Sequence, residues 1–149
     1  MPAPDVGRGR EIHVSAEDFK VIRQLTFELA NVPRESMIES GWTPTNGDFL
    51  KRLARSVPSQ IAAPTRVTVV VLDEEVADPI LTDHSGTEVA PASSDDVVRF
   101  VPRPVAHVWP KLLRAAFEAL GGLETRYRTG FHEGEVMRAL QTIGALDEL

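Results

Sequence analysis

Carboxylates cluster at the end of a run of β-branched residues in the middle of the chain. The run covers residues 66–73 (RVTVVVLD), and both of its alternating faces are apolar, which predicts a central strand covered on both sides. The carboxylates at and after its end are Asp73, Glu74, Glu75 and Asp78. Ligands gather at the carboxyl ends of strands in open α/β sheets, and carboxylate oxygens bind Mg²⁺, so a metal-dependent enzyme is one hypothesis. The favoured interpretation is a strand end with solvated acids, because the chain has no Gly-rich phosphate loop.

A second stretch with residue types suited to catalysis is 129–135 (TGFHEGE). A zinc-binding helix of the HExxH type needs a second His four residues after the first, so that both imidazoles share one face, but this chain has Val136 there. Glu133 and Glu135 near a helix start stabilise its dipole without any catalytic role. The chain also has no Cys and no GxSxG elbow. The favoured prediction therefore includes no catalytic residue, no metal site and no cofactor.

Negative charge is concentrated in one segment. No Lys or Arg lies between Arg66 and Arg99, whereas eight of the 22 acidic residues lie there. The other 14 acidic residues are nearly balanced by the 16 basic residues of the chain. Such a concentration is typical of a solvated loop or of a surface for a cationic partner. We predict an exposed acidic loop near 82–96, and partner contact through the four carboxylates at the strand end.

Two tryptophans are further candidates for partner contact. Trp42 lies two residues before Pro44, and Trp109 directly precedes Pro110. Both tryptophans lie at a predicted helix entrance. Tryptophan is enriched at interface hot spots, but it is also largely buried on average. Burial in the core is the more common outcome, and both residues are retained as candidate partner contacts.

A basic cluster on a predicted helix supports a different function. Lys51, Arg52 and Arg55 lie on the polar side of that helix and could neutralise phosphates, which makes a nucleic-acid-contacting regulator a second hypothesis. The isoelectric point of about 5.2 argues against it. A solvated helix face accounts for the same charges.

Apolar periodicity, capping residues and Pro or Gly positions predict the elements that carry these residues. In chain order they are an edge strand at 12–14, helices at 15–31, 33–39 and 45–57, the central strand at 66–73, a second strand at 97–101, a helix at 109–120, a short strand or extended connection at 123–128, and a helix at 132–142. We expect Ser15 with Asp18 to cap the first helix, and Thr45 with Asp48 to cap the third. The predicted core includes Leu25, Leu53, Val69, Val71 and Phe117.

Length and composition indicate one globular domain. The 149 residues are 42% hydrophobic and 26% charged, which suits a single core. We predict an N-terminal arm at 1–10, followed at 11–149 by one α+β domain with about four helices packed on a small mixed or antiparallel sheet. The longest apolar run is far too short to span a bilayer, and the first ten residues lack a secretory apolar stretch. A soluble protein of the cytoplasm, or of an assembled particle, is expected.

The favoured functional hypothesis is a non-enzymatic protein–protein interaction or assembly protein. A subunit of a phage or phage-tail-like particle is one example, and an immunity or inhibitor protein with an acidic surface for a basic target is another. The expected partner is a protein or a second copy of the chain. Nucleic acid is a less favoured partner, and no membrane association is expected.

Overall fold

In the part of the chain that the structure describes, five α helices pack on a three-stranded mixed sheet, so the predicted α+β fold is confirmed. The structure is a computed structural model that describes residues 10–57, 61, 65–76, 78–79 and 96–149. The predicted arm and acidic loop lie outside these residues, apart from Arg10 and Asp96. The elements are β1 (Glu11–Ser15), α1 (Ala16–Glu28), α2 (Arg34–Glu39), α3 (Pro44–Ser56), β2 (Arg66–Leu72), β3 (Asp96–Pro102), α4 (Arg103–Thr129) and α5 (Glu133–Gly144), with 3-10 turns at Leu29–Asn31 and Ala145–Glu148.

Strand β2 lies in the middle of the sheet, as predicted. It pairs with β1 in antiparallel fashion, with Ile12 opposite Val69, and with β3 in parallel fashion, with Arg99 opposite Val69. Every β2 residue after Arg66 is buried, which confirms that both faces of the strand are covered. The strand ends at Leu72, one residue earlier than predicted, so Asp73 is the first residue beyond it.

Helix α1 is the element against which most of the other helices pack. It contacts α3, α4 and α5, and its buried face includes Phe19, Ile22 and Leu25. The predicted cap is confirmed, because Ser15 Oγ accepts a hydrogen bond from the backbone N–H of Asp18 at 3.1 Å. The Asp18 carboxylate in turn accepts hydrogen bonds from Arg138 Nε at 3.2 Å and Thr142 Oγ1 at 3.1 Å. These bonds join the start of α1 to α5.

The predicted cap of α3 was wrong. The N-cap is Thr43 and not Thr45, and Thr43 Oγ1 accepts a hydrogen bond from the backbone N–H of Asn46 at 3.1 Å. The physical reason is Pro44, whose fixed φ and missing N–H suit the first helical position and so place the cap at the residue directly before it. The predicted core is confirmed, since all five of its residues are buried.

Helix α4 differs most from expectation. It begins at Arg103, directly after β3, so Trp109 and Pro110 lie inside it and do not open it. The predicted strand or connection at 123–128 is wrong, because the chain returns to helical conformation after a kink at Gly121 (φ 79°) and continues to Thr129. That stretch contains good helix formers such as Leu, Glu and Arg, whereas the non-helical φ and ψ of Gly121 (79° and 160°) divide α4 into two helical segments, at the residue where the first was predicted to end.

Gly41 connects α2 to α3 in a backbone conformation that other residues rarely adopt. Its φ is +102°, and a Cβ placed there would lie 2.5 Å from Cγ2 of Val108 on α4. We expect Gly41→Ala to lower the free energy of unfolding by about 1–3 kcal/mol, because the strained backbone and the overlap both act against the folded state. Urea denaturation measures the change. The control is Gly144→Ala, at a helical position with no atom within 4 Å of the added Cβ, which should be neutral or stabilising. Equal losses in the two variants would contradict the prediction.

Candidate functional site

An open cleft lies between the end of α1, helix α2 and the start of α3. Its volume is about 310 Å³, at the lower end of the range of ligand-binding pockets and large enough for one bulky side chain. The lining residues are Thr26, Phe27, Leu29, Ala30, Val32, Arg34, Met37, Trp42, Pro44, Gly47, Asp48 and Lys51. We refer to it as the Trp42 cleft.

Trp42 forms one wall of the cleft and is held in place from several directions. Its backbone N–H donates to the carbonyl oxygen of Met37 at 2.9 Å. The indole lies so close to Gly47 that a Cβ at this position would overlap with Nε1. The guanidinium of Arg34 lies 5.6 Å from the ring centre, which is a cation–π distance. The indole is therefore preorganised, while its half-buried state leaves part of the ring accessible.

The second candidate tryptophan lies behind the cleft and not in it. Trp109 is fully buried, packs edge-on against Phe19 with ring centres 6.4 Å apart, and donates from Nε1 to Thr26 Oγ1 at 3.1 Å. Thr26 lines the cleft and donates its own hydroxyl hydrogen to the carbonyl oxygen of Ile22 at 2.7 Å. Partner contact through Trp109 is thus excluded in this fold, because neither its ring nor its N–H is accessible. Its role is to support the residues beneath the cleft.

The rim of the cleft is positively charged. Arg34 and Lys51 contribute two cations, whereas Asp48, the one carboxylate among the described lining residues, accepts a hydrogen bond from Arg52 Nε at 3.1 Å. Apolar side chains such as Phe27 line the interior. An apolar interior with a cationic rim suits an apolar group that has a carboxylate beside it.

Among the predicted basic cluster on α3, only Lys51 lines the cleft. All three residues are exposed, as the sequence indicated. Arg52 pairs with Asp48, and its guanidinium also lies 5.6 Å from the ring centre of Phe49. The cluster is therefore partly neutralised by its own helix.

The predicted acidic contact residues lie elsewhere, and Asp73 among them is already engaged. Its Oδ2 pairs with Arg10 Nη1, and its Oδ1 accepts a hydrogen bond from Arg103 Nε at 2.8 Å. Arg103 also donates to the main-chain oxygen of Leu149. The cluster joins the approach to β1, the end of β2, the start of α4 and the last residue.

Asp73 is exposed, as predicted for a solvated acid at a strand end, but it is also paired with two arginines. Both of its oxygens face guanidinium groups, which lower the pKa of the carboxyl group through hydrogen bonds from Arg10 and then Arg103. Glu74, Glu75 and Asp78 are exposed. Within the residues that the structure covers, no group of three or more His, Asp or Glu side chains could hold a metal ion.

We expect Asp73→Asn to lower the free energy of unfolding at neutral pH. We also expect this free energy to depend less on pH in the acid range than it does in the wild type. Because the pKa of Asp73 is lowered below its ordinary value of 3.8, its contribution is fully present above that pH. The contribution is lost as the pH falls through the lowered folded-state pKa. The urea midpoints of wild type and variant should therefore differ at neutral pH and converge as the pH is lowered well below 3.8. Glu75→Gln is the control, and a constant gap between wild type and Asp73→Asn would contradict the prediction.

Comparison with known proteins adds no relative. No protein-family model matches the chain, and neither curated proteins nor solved structures show significant similarity to it. None of the helices in the described parts of the chain is long and apolar enough to cross a bilayer. Function must therefore be inferred from the geometry of the site itself.

Proposed function

We propose that the protein is a non-enzymatic protein–protein interaction module and that the Trp42 cleft is its contact surface. The observation that carries the proposal is the preorganised, partly accessible indole of Trp42 in an apolar cleft. Tryptophan in a well-packed pocket is among the most frequent types of hot spot in protein interfaces. A ring already fixed by Gly47 and Arg34 loses little conformational entropy on binding.

The chemistry of the cleft specifies the partner. The interior accepts an aromatic or large aliphatic side chain, and the cations of Arg34 and Lys51 favour a carboxylate next to it. We infer an acidic, apolar segment of a protein partner as the occupant. Both a particle subunit and an immunity or inhibitor protein could work through such contact, in the cytoplasm or in an assembled particle.

The contacts described above favour the Trp42 cleft over the acidic segment as the candidate binding surface. Asp73 is engaged by two arginines, so its charge is neutralised locally. The exposed carboxylates of Glu74 and Glu75 remain available to adjust the association rate of a basic partner. We therefore assign binding affinity to the cleft and leave electrostatic steering to these carboxylates.

Selection from a random peptide display library tests the proposal and does not require the identity of the partner. We expect the wild-type chain to enrich peptides in which an aromatic or aliphatic residue lies next to Asp or Glu. The affinity of a selected peptide should fall at least about 30-fold in Trp42→Ala, the loss typical of a hot spot, and less in Lys51→Glu. The control is Ile38→Ala, which removes an exposed side chain that does not line the cleft.

Two results would contradict the proposal. One is peptides that bind Trp42→Ala as tightly as they bind the wild type. The other is salt-dependent DNA binding by the wild type that is lost in Lys51→Glu and Arg55→Glu but retained in Trp42→Ala. The latter would favour the nucleic-acid-contacting regulator.

A further inference from the structure

The part of α4 beyond Gly121 exposes its apolar side chains and buries a polar one. Leu123 is 85% exposed and Tyr127 is 88% exposed. Thr125 between them is fully buried, and within the described chain its hydroxyl oxygen has no hydrogen-bond partner. A surface helix normally has the reverse pattern, with its apolar residues facing the core. The inversion points to a second contact for the outer face.

Helical geometry places the two exposed residues on one face. Residues four apart lie on neighbouring turns of the same side, while Thr125 lies on the opposite side. Glu124 and Arg126 project to the two flanks of the exposed pair. The segment is held to the domain by Arg128, which pairs with Glu28 of α1 at 3.5 Å and also with Glu124 of its own helix at 2.7 Å. Leu123 and Tyr127 thus form a positioned apolar surface with opposite charges on its two sides.

We infer that Leu123 and Tyr127 pack against the same two residues of a second copy of this chain. A two-fold axis along the helix segment makes the surface self-complementary, because it brings Glu124 of each copy towards Arg126 of the other. Two side chains per copy cover well below the about 800 Å² per partner of a standard interface, so a weak, concentration-dependent dimer is expected. This surface does not include the Trp42 cleft, and the inference goes beyond the proposed function.

Sedimentation velocity over a concentration series tests the inference. We expect a monomer–dimer equilibrium for the wild type, and a dissociation constant at least about 10-fold higher for the Leu123→Ser/Tyr127→Ser variant. Both positions are exposed, so the variant should keep the wild-type circular dichroism spectrum and melting curve. Ile38→Ser and Trp42→Ala are the matched controls and should dimerise like the wild type. Their behaviour separates this surface from the proposed partner cleft.

Charge reversal tests the pairing across the two-fold axis. Arg126→Glu should weaken the dimer, because it places two acidic side chains opposite each other across the axis, whereas Arg126→Lys should keep it. A wild-type chain that remains monomeric up to about 1 mM would overturn the inference. So would a dimer that tolerates Leu123→Ser/Tyr127→Ser or Arg126→Glu. A monomer that binds anionic lipid vesicles through Tyr127 would also overturn it and would assign this surface to a membrane.

Discussion

The Leu53→Ala variant is expected to lose about 2–5 kcal/mol of unfolding free energy. Leu53 is fully buried on α3, within the hydrophobic core that joins the helices to the sheet. Truncation removes apolar contacts and leaves a cavity that the close-packed surroundings fill only in part. Urea denaturation with an unchanged m-value measures the loss.

Ile38→Ala is the matched control for this prediction. Ile38 is 55% exposed on α2, so its truncation should change the unfolding free energy by no more than about 0.5 kcal/mol. Similar losses in both variants would show that the core is not where the structure places it. Because α3 also carries Asp48 and Lys51 of the cleft rim, tests of binding should use the surface variants and not Leu53→Ala.

The elements that could be predicted are those with strong local patterns. Helix α1 has apolar residues at helical spacing and a capping serine, and β2 has six consecutive buried residues of which five are Val or Thr. In both cases the residues that determine the element are neighbours in the chain. Sequence patterns therefore indicated their type, and even the central place of β2, from local residues.

The predicted start of α4 at Trp109 and Pro110 was wrong for a physical reason. Pro110 has no backbone donor and therefore indicates a helix start locally, whereas Gly121, which was predicted to end that helix, does interrupt the helical backbone. In the structure Pro110 is buried together with Trp109, and packing of the helix stabilises it across the missing hydrogen bond. Tertiary contacts of this kind are distant in sequence and leave no local pattern.

The candidate site was predictable only in part, for the same reason. Trp42 was identified from its residue type, but Phe27 and Gly47, which line the cleft with it, belong to two different helices. The engagement of Asp73 depends on Arg10, 63 positions away, and on Arg103, 30 positions away. No spacing rule relates such residues. Because no basic residue lies between Arg66 and Arg99, the sequence predicted an acidic surface for a partner. The fold brings Arg10 and Arg103, from outside that segment, to Asp73.

The two tryptophans are expected to respond in opposite ways to truncation. Trp109→Ala should lower the free energy of unfolding by about 3–5 kcal/mol, because it removes a fully buried ring from the contacts between α1 and α4. Thr26→Val should cost about 1–3 kcal/mol, since it leaves the buried Nε1 of Trp109 without an acceptor. Denaturation curves of the three variants, with Trp42→Ala as the third, give the comparison.

Trp42→Ala should change stability much less than Trp109→Ala, because its ring is only half-buried and lines an open cleft. Its effect should instead appear as a lower affinity for acidic, apolar peptides. Trp109→Ala is not used in that measurement, because unfolding alone would reduce its binding. If Trp42→Ala destabilised the fold as much as Trp109→Ala, the indole of Trp42 would be a core residue and the cleft would lose its binding role. A stable Trp42→Ala variant that no longer binds peptide would separate the two tryptophans, one for folding and one for recognition.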